Sequence, residues 1–173
     1  MISLIIPTLN EEHNIKNVLT YVLNLSGAYE VIVVDGGSQD NTVSIVEEEP
    51  RVRLIKSSKG RAIQMNIGAK YAKGTFLLFL HADTYLPENA LSKINSFESD
   101  FEIAAGGFKH QFSSNDWRLK FISFLHNYRC KKSRLFYGDQ ALFVRRSLFN
   151  ELGGYPNQTI LEDWSFGQTL RNA

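Results

Sequence analysis

Four short apolar segments alternate with segments of helical periodicity in the first half of the chain, and this alternation constrains the fold more than any other feature. A run that is apolar almost throughout is typical of a strand buried on both faces of a sheet. The four predicted strands cover residues 2–7, 29–34, 52–55 and 75–80. Because a helix-like segment connects each strand to the next, the order predicts an α/β fold with a mostly parallel central sheet and helices on both faces.

Helices are predicted between these strands and beyond them. Asn10 is expected to cap the first helix, with Glu11 and Glu12 in its first turn, where the helix dipole favours acidic side chains. Gly60 is expected to begin the third helix and Gly74 to end it. The other predicted elements are helices over 42–48, 87–97, 115–130 and 146–152 and strands over 103–112 and 141–144. No repeat or linker divides the sequence, so residues 1–173 are predicted to form one domain.

Composition and charge exclude several classes of partner and location. Hydrophobic residues make up 43% of the 173 positions and the net charge is +1, so no overall field recruits nucleic acid. Cys130 is the only cysteine, which excludes an internal disulfide and favours a reducing compartment. Residues 1–7 lack the pattern of a signal peptide, and no apolar run is long enough to span a bilayer. The sequence predicts a cytoplasmic protein, with contact at the inner face of the membrane left open.

Polar clusters follow three of the four predicted strands. They are residues 7–11 after the first strand, 35–38 after the second and 81–83 after the fourth. In an open parallel sheet, ligands bind beyond the carboxyl ends of the strands. One such cluster alone would favour ordinary caps and turns, whereas three at equivalent strand ends favour a binding site.

The chemistry of these strand ends suits a nucleotide and a divalent cation. A carboxylate there can accept hydrogen bonds from a base or ribose, or can hold Mg²⁺ or Mn²⁺ together with substrate phosphates. We predict the metal-binding role for Asp83 and the nucleotide-binding role for Asp35. Arg61, at a predicted helix N-terminus, can help to hold an anion. Its spacing alone is equally consistent with a solvated surface arginine.

Seven short segments carry a resemblance that extends over nearly the whole chain. They are residues 7–11, 34–42, 60–62 with 66–69, 77–84, 138–140, 153–156 and 162–163. Each segment is weak evidence alone, but their order and spacing together are specific. The chain resembles the family 2 glycosyltransferases of the GT-A fold, which transfer a sugar from a nucleotide-diphosphate donor to an acceptor hydroxyl.

The resemblance implies a role for each matching residue. The residues implied to bind the nucleotide sugar are Pro7, Thr8, Glu11, Asp35, Arg61, His81 and Ala82. The resemblance also implies that Asp83 holds Mg²⁺ or Mn²⁺, that Asp163 is the general base of an inverting transfer, and that the acceptor contacts Gly138, Asp139 and Glu162. Without the resemblance, Glu162 and Asp163 would be interpreted as first-turn acids of a terminal helix.

Two departures from the family pattern leave an alternative function open. His81 stands where the family most often has Asp, and only ten residues follow Asp163, where family members normally continue. The sequence therefore predicts a family 2 domain that lacks the usual C-terminal extension. The alternative is a catalytically inactive nucleotide-sugar-binding domain or fragment. An NAD-dependent oxidoreductase is disfavoured because the Gly-x-Gly-x-x-Gly motif does not follow the first strand.

Residues 109–134 combine basic and aromatic side chains. They include seven basic residues and one acidic residue, with Trp117, Phe121, Phe124, Leu125 and Tyr128 at near-helical spacing. We expect the predicted helix to pack its apolar face on the sheet and to leave its charges in water. A basic amphipathic helix can instead lie on an anionic membrane surface, so peripheral membrane contact and a lipid-linked acceptor stay open.

Overall fold

A six-stranded sheet, four of whose strands come from the first half of the chain, organises the structure. The structure is a computed structural model that describes residues 1–112, 114, 116–133, 140–158 and 160–173. The strands are β1 (Ile2–Thr8), β2 (Tyr29–Asp35), β3 (Val52–Lys56), β4 (Phe76–Phe79), β5 (Ala105–Gly106) and β6 (Phe143–Arg145). Their order across the sheet is β3-β2-β1-β4-β6-β5, in which β1 to β4 are parallel and β6 is antiparallel to both of its neighbours. The predicted α/β class and mostly parallel sheet are confirmed.

Seven helices accompany these strands within the described residues. They are α1 (Ile15–Val22), α2 (Thr42–Glu47), α3 (Arg61–Tyr71), α4 (Ala90–Ser96), α5 (Trp117–Ser133), α6 (Arg146–Glu151) and α7 (Glu162–Asn172). The helices predicted between the first four strands and after the fourth are all present, with ends that differ by a few residues from the predicted ones. Glu162 and Asp163 lie in the first turn of α7, where the sequence alone also places them.

Helices cover both faces of the sheet because alternate strand residues point to opposite sides. On one face, Ile6 and Leu78 belong to a cluster with the buried residues of α1 and α4. On the other face, Ile5 and Leu77 belong to a cluster with α3, α6 and α7. Both faces of the central strands are therefore apolar, which explains why these strands are nearly continuous apolar runs in the sequence.

Two local predictions are wrong. Asn10 does not cap α1: its φ is 56°, and the helix begins at Ile15 with Asn14 in the cap position. Neither Glu11 nor Glu12 lies in the first turn of that helix, because residues 10–13 form a loop that is bonded to the loop after β2. The strand predicted over 103–112 is reduced to the two residues of β5, because beyond it the chain turns towards α5.

The expected packing of the basic helix is also wrong. Only Ser123 and Cys130 of α5 are buried. Six of its large apolar side chains are exposed, namely Trp117, Phe121, Ile122, Phe124, Leu125 and Tyr128. Among its large apolar residues only Leu119 is partly buried, so the helix does not pack a continuous apolar face on the sheet. Among the described residues, no helix is both long enough and apolar enough to cross a bilayer.

Candidate functional site

A cavity of about 680 Å³ opens at the carboxyl ends of β1 and β4, and we call it the strand-end cavity. The predicted site residues that line it are Pro7, Thr8, Glu11, Arg61, His81, Ala82 and Asp83. The parallel register explains this convergence, because neighbouring parallel strands end at the same edge of the sheet. Gly60, at the start of α3 beside Arg61, also lines the cavity, together with four residues for which the sequence predicted no role: Lys59, Gln64, Asn157 and Gln158.

Gln64 ties the ends of β1 and β2 together from the side of α3. Its buried amide Nε2 donates hydrogen bonds to the carbonyl oxygens of Thr8 at 2.7 Å and Val34 at 2.8 Å. The residue after β2 must be small, because a Cβ on Gly36 would lie 3.0 Å from the Gln64 carboxamide. One buried side chain thus fixes the relative position of the two strand ends that bear predicted site residues.

Asp35 ends β2 and is engaged by its own turn. Its Oδ2 accepts hydrogen bonds from the backbone N–H groups of Gly37 and Ser38, both at 2.9 Å, and its Oδ1 accepts one from the Ser38 hydroxyl. The side chain is buried and is not among the described residues that line the strand-end cavity. Asp35 and Asp83 follow strands that end at the same edge of the sheet, but Asp35 does not share the strand-end cavity with Asp83. Contact of Asp35 with a nucleotide remains a prediction.

The loop that carries Glu11 is held by the loop after β2. The Glu11 N–H donates to Thr42 Oγ1 at 2.7 Å, and the Thr42 hydroxyl in turn donates to Asp40. Asn10 receives a hydrogen bond from the Gln39 N–H at 2.9 Å, which accounts for its left-handed conformation in a loop. These bonds give the matched segment 34–42 a structural role, since it holds the loop that brings Glu11 to the cavity.

Asp83 is the candidate metal ligand. It lies in a turn closed by a hydrogen bond from the Thr84 N–H to the His81 carbonyl oxygen, and its side chain is exposed. Within the described part of the chain, no group of three or more His, Cys, Asp or Glu side chains could hold a metal ion. A site with one carboxylate fits Mg²⁺ or Mn²⁺ that keeps several waters and is also bound by substrate phosphates.

A second cavity, of about 800 Å³, lies on the other side of Asp83, and we call it the basic cavity. It shares His81 and Asp83 with the strand-end cavity. Lys109, His110 and Lys120 also line it, and Asp83 is the only acid among its described lining residues. Asp83 thus stands at the junction of two ligand-sized spaces.

Asn66 anchors the turn that leads to α7. Its side-chain amide donates to the Tyr155 carbonyl oxygen at 2.8 Å, and its Oδ1 accepts from the Tyr155 N–H at 2.9 Å. Gly153 and Gly154 have φ values of 78° and 74°, and a Cβ on Gly154 would lie 2.6 Å from Asn66 Oδ1. The Gly-Gly-Tyr-Pro segment is therefore a tight turn docked on α3, and it delivers Asn157 and Gln158 to the strand-end cavity.

The first turn of α7 carries the two remaining acids of the predicted site. Glu162 is buried, and its Oε1 lies 3.5 Å from Arg61 Nη1, so this carboxylate faces the start of α3. Asp163 is half-buried and lines neither described cavity. Burial, and then the negative charges of Asp163 and Glu162, raise the pKa of the Tyr155 phenol well above its usual value. The phenol therefore stays protonated beside the two carboxylates.

The structure leaves part of the predicted acceptor site undescribed. Gly138 and Asp139 lie outside the described residues. Glu162 is paired with Arg61, so an acceptor contact for its carboxylate would have to compete with that cation. The roles of Gln64 and Asn66 depend on residues 30 or more positions away, and the spacing of polar residues on a helix does not reveal such contacts.

Comparison with known proteins finds relatives along most of the chain. A family model described as "Glycosyl transferase family 2" matches residues 3–153. A PGL/p-HBAD biosynthesis glycosyltransferase of Mycobacterium tuberculosis is 32% identical over 179 residues, which cover 96% of this chain and 68% of that protein. The UDP-Glc:alpha-D-GlcNAc-diphosphoundecaprenol beta-1,3-glucosyltransferase WfgD of Escherichia coli is 36% identical over 96 residues, covering 53% of this chain and 38% of that protein.

The fold also matches solved structures. The mannosyltransferase PcManGT of Pyrobaculum calidifontis, solved with GDP-Man and Mn²⁺, superposes with a TM-score of 0.77 at 24% identity. The match covers 94% of this chain and 49% of that structure, so the chain spans about half of its length. At this level of identity the likeness establishes the shared GT-A fold.

Proposed function

This chain belongs to glycosyl transferase family 2, and we propose that it transfers a sugar from a nucleotide-diphosphate donor to an acceptor hydroxyl with the aid of Mg²⁺ or Mn²⁺. The observation that carries the proposal is the convergence of Thr8, Glu11, Arg61 and Asp83, which are far apart in sequence, on one cavity at the carboxyl edge of the sheet. A cavity of about 680 Å³ is within the usual range for a small-molecule ligand.

In the proposed donor complex, the nucleotide lies in the strand-end cavity and its diphosphate lies towards Asp83. Lys59 and Arg61 supply positive charge on the side of α3, and Glu11 supplies a carboxylate for the base or ribose. Asp35 would reach the nucleotide only by exchanging the hydrogen bonds that it accepts from its own turn. Asp83 would hold the metal ion with the two phosphates, and His81 would contact the donor beside it. When bound, the ion offsets the negative charge that develops on the leaving diphosphate.

Asp163 is proposed as the general base. An acceptor oxygen forms a bond to the anomeric carbon while the bond from that carbon to the diphosphate oxygen breaks. The proton of the acceptor hydroxyl passes to the Asp163 carboxylate, and the nucleoside diphosphate leaves with the bonding electrons. Attack opposite to the leaving group inverts the anomeric configuration, and no second carboxylate is required as a nucleophile. Such a base contributes about 10²–10⁴-fold in rate.

Two matched substitutions separate donor binding from base catalysis. Asp163→Asn is expected to lower transfer by about 10²–10⁴-fold and to leave donor affinity nearly unchanged. Asp83→Asn is expected to weaken metal-dependent donor binding, and Asp100→Asn serves as a control at an exposed carboxylate outside both cavities. Transfer is followed by release of nucleoside diphosphate from a panel of nucleotide sugars. Normal turnover by Asp163→Asn would remove the base assignment.

The second candidate function is a nucleotide-sugar-binding domain without catalysis. Asp163 lines neither described cavity, and this observation favours the second candidate over a fully assembled active site. Binding of nucleoside diphosphate without transfer from any donor would support it. Absence of both binding and transfer would contradict both candidates.

We also propose that the acceptor is lipid-linked and that the domain works in the cytoplasm at the inner face of the membrane. The name of the E. coli relative states a diphosphoundecaprenol-linked acceptor. Basic and apolar side chains are exposed together along α5, which suits an anionic membrane surface.

A further inference from the structure

We propose that the basic cavity and an apolar groove beside α5 together bind one amphiphilic acceptor, with its anionic head group next to Asp83 and its hydrocarbon chain along the helix. The inference rests on the proposed function, since it assigns the acceptor side of the same site. It goes further by naming the chemical class of the ligand and the residues that recognise each of its two parts.

The head-group end of the site is defined by charge. Lys109 and Lys120 line the basic cavity, and Asp83 is the only acid among its described lining residues. If Asp83 binds the metal ion, its negative charge is offset when the donor is present. The exposed Lys109 on the cavity wall then offers its positive charge to an acceptor phosphate, and that phosphate would lie close to the donor diphosphate at the Asp83 junction.

The chain end of the site is an apolar groove of about 710 Å³ between α5 and residues 107–109. Phe108 and Lys109 line both this groove and the basic cavity, so the two spaces adjoin. Phe124 and Tyr128, one helical turn apart on α5, line the groove and are 64% and 60% exposed. Exposed aromatic side chains on a groove wall offer apolar surface that a hydrocarbon chain would remove from water.

Hydrogen bonds hold the two walls of the groove together. The His110 N–H donates to Asn127 Oδ1 at 2.9 Å, and Asn127 Nδ2 donates back to the His110 carbonyl oxygen at 2.8 Å. This reciprocal pair ties the segment after β5 to the middle of α5. Because the walls are fixed before a ligand arrives, little ordering of the protein opposes binding.

The basic cavity and the apolar groove adjoin, and together they favour one class of ligand. Inorganic phosphate would be complementary to the basic cavity alone, and an uncharged alkane would be complementary to the groove alone. A molecule with a phosphate head and one hydrocarbon chain matches both spaces in their observed order. Contact with a membrane surface would also involve exposed apolar side chains outside the groove, such as Ile122, which projects away from the groove and is 51% exposed.

The test compares decyl phosphate with butyl phosphate by isothermal titration calorimetry below the micellar concentration of the longer compound. A methylene fully removed from water tightens binding by about fourfold, so six methylenes that are half covered give about 50-fold. Decyl phosphate is therefore expected to bind about 50-fold more tightly than butyl phosphate. A ratio below about tenfold, or inorganic phosphate that binds as tightly as decyl phosphate, would overturn the proposal.

Substitutions at exposed positions assign the two parts of the ligand. Phe124→Ser with Tyr128→Ser should reduce the preference for the decyl chain at least about fivefold, whereas Ile122→Ser on the far side of α5 should leave it unchanged. Lys109→Gln should weaken the binding of decyl phosphate and of butyl phosphate at least about threefold each, so that the ratio of the two affinities stays constant. Lys132→Gln is the matched control and should leave both affinities unchanged. An equal loss with Ile122→Ser would show general adhesion to the helix and would contradict the groove.

Nucleoside diphosphate binding with Mn²⁺ distinguishes failure of this inference from failure of the proposed function. None of the substituted residues lines the strand-end cavity, so that binding also reports a correct fold. If the protein binds the nucleotide normally but shows no preference for the longer alkyl phosphate, the amphiphile-binding site is contradicted and the proposed function is not. If the parent protein prefers the longer alkyl phosphate but does not bind the nucleotide, the proposed transfer function is contradicted and the apolar groove is supported.

Discussion

Replacement of Gln64 by Glu tests how the strand ends of the site are held together. Gln64 is buried, and its Nε2 donates to the carbonyl oxygens of Thr8 and Val34. Gln64→Glu keeps the shape of the side chain but replaces the amide NH₂ group, which donates both hydrogen bonds, with a carboxyl oxygen. An ionised carboxylate would there face two carbonyl oxygens without a hydrogen to share, so the folded state favours the protonated form of the introduced carboxyl.

The expected loss of stability has two parts. A protonated carboxyl has one O–H and can keep one of the two hydrogen bonds, so about 1 kcal/mol is lost with the other. Burial next to two carbonyl oxygens should raise the pKa of the introduced group by about two units from its unfolded value of about 4.3, which adds about 2.7 kcal/mol at neutral pH. The sum is about 4 kcal/mol, a large share of the roughly 5–15 kcal/mol of a typical domain.

The direction of the pH effect follows from the raised pKa. Below about pH 4 the introduced carboxyl is protonated in both states, so only the lost hydrogen bond remains. As the pH rises from about 4 to above 6, the unfolded chain ionises first, and the variant loses stability relative to the parent. Above the pKa of the folded state, the difference becomes constant.

Urea unfolding followed by circular dichroism at pH 4.5 and pH 7.5 measures this difference against the parent protein at each pH. Gln64→Met is the matched control, because it removes both hydrogen bonds without adding a titrating group. That variant should lose about 2 kcal/mol at both pH values. If Gln64→Glu lowers the free energy of unfolding equally at the two pH values, or if both variants lower it by less than about 1 kcal/mol, the hydrogen bonds from Gln64 to Thr8 and Val34 are contradicted.

Three other substitutions or titrations test the packing and charges around the site. Gly68→Ala should reduce the free energy of unfolding by about 1–3 kcal/mol in urea titrations, because its Cβ would lie 2.4 Å from Ile5 Cγ2; an unchanged midpoint would contradict the close contact between α3 and β1. Arg61→Gln should destabilise the fold more than Glu162→Gln, since it leaves a buried carboxylate without its cation, and the reverse order in the same assay would count against the pair. Mn²⁺ alone should bind weakly by calorimetry, since Asp83 is a single carboxylate; tight binding without nucleotide would indicate a protein-enclosed site.

The strands and their polar ends could be predicted from sequence because both depend on local pattern. β1, β2 and β4 are apolar on both faces, and parallel register then places Thr8 and Asp83 at one edge without any long-range information. Seven of the eight residues predicted to bind the donor or metal line the strand-end cavity, and five of them belong to or directly follow β1 and β4. Asp35 is the exception, because its carboxylate is turned inward to cap the turn that follows β2.

Features that depend on distant partners escaped prediction. Asn10 has the composition of a helix cap, yet the hydrogen bond from the Gln39 N–H holds it in a loop. The spacing of aromatic residues on α5 suggested a buried face, whereas the buried positions are Ser123 and Cys130. Arg61 and Glu162 are about a hundred residues apart, and no local pattern relates them before the fold is known.

Titration of a nucleoside diphosphate into the protein in the presence of Mn²⁺, Mg²⁺ or a chelator tests the central claim most directly. The parent protein should bind the nucleotide at least about tenfold more tightly with metal than with chelator, because Asp83 and the two phosphates share the ion. Asp83→Asn should abolish that difference and should retain the weaker, metal-independent binding. Equal affinities with metal and chelator in the parent, or a metal effect that survives Asp83→Asn, would contradict a metal-assisted donor site at the ends of β1 and β4.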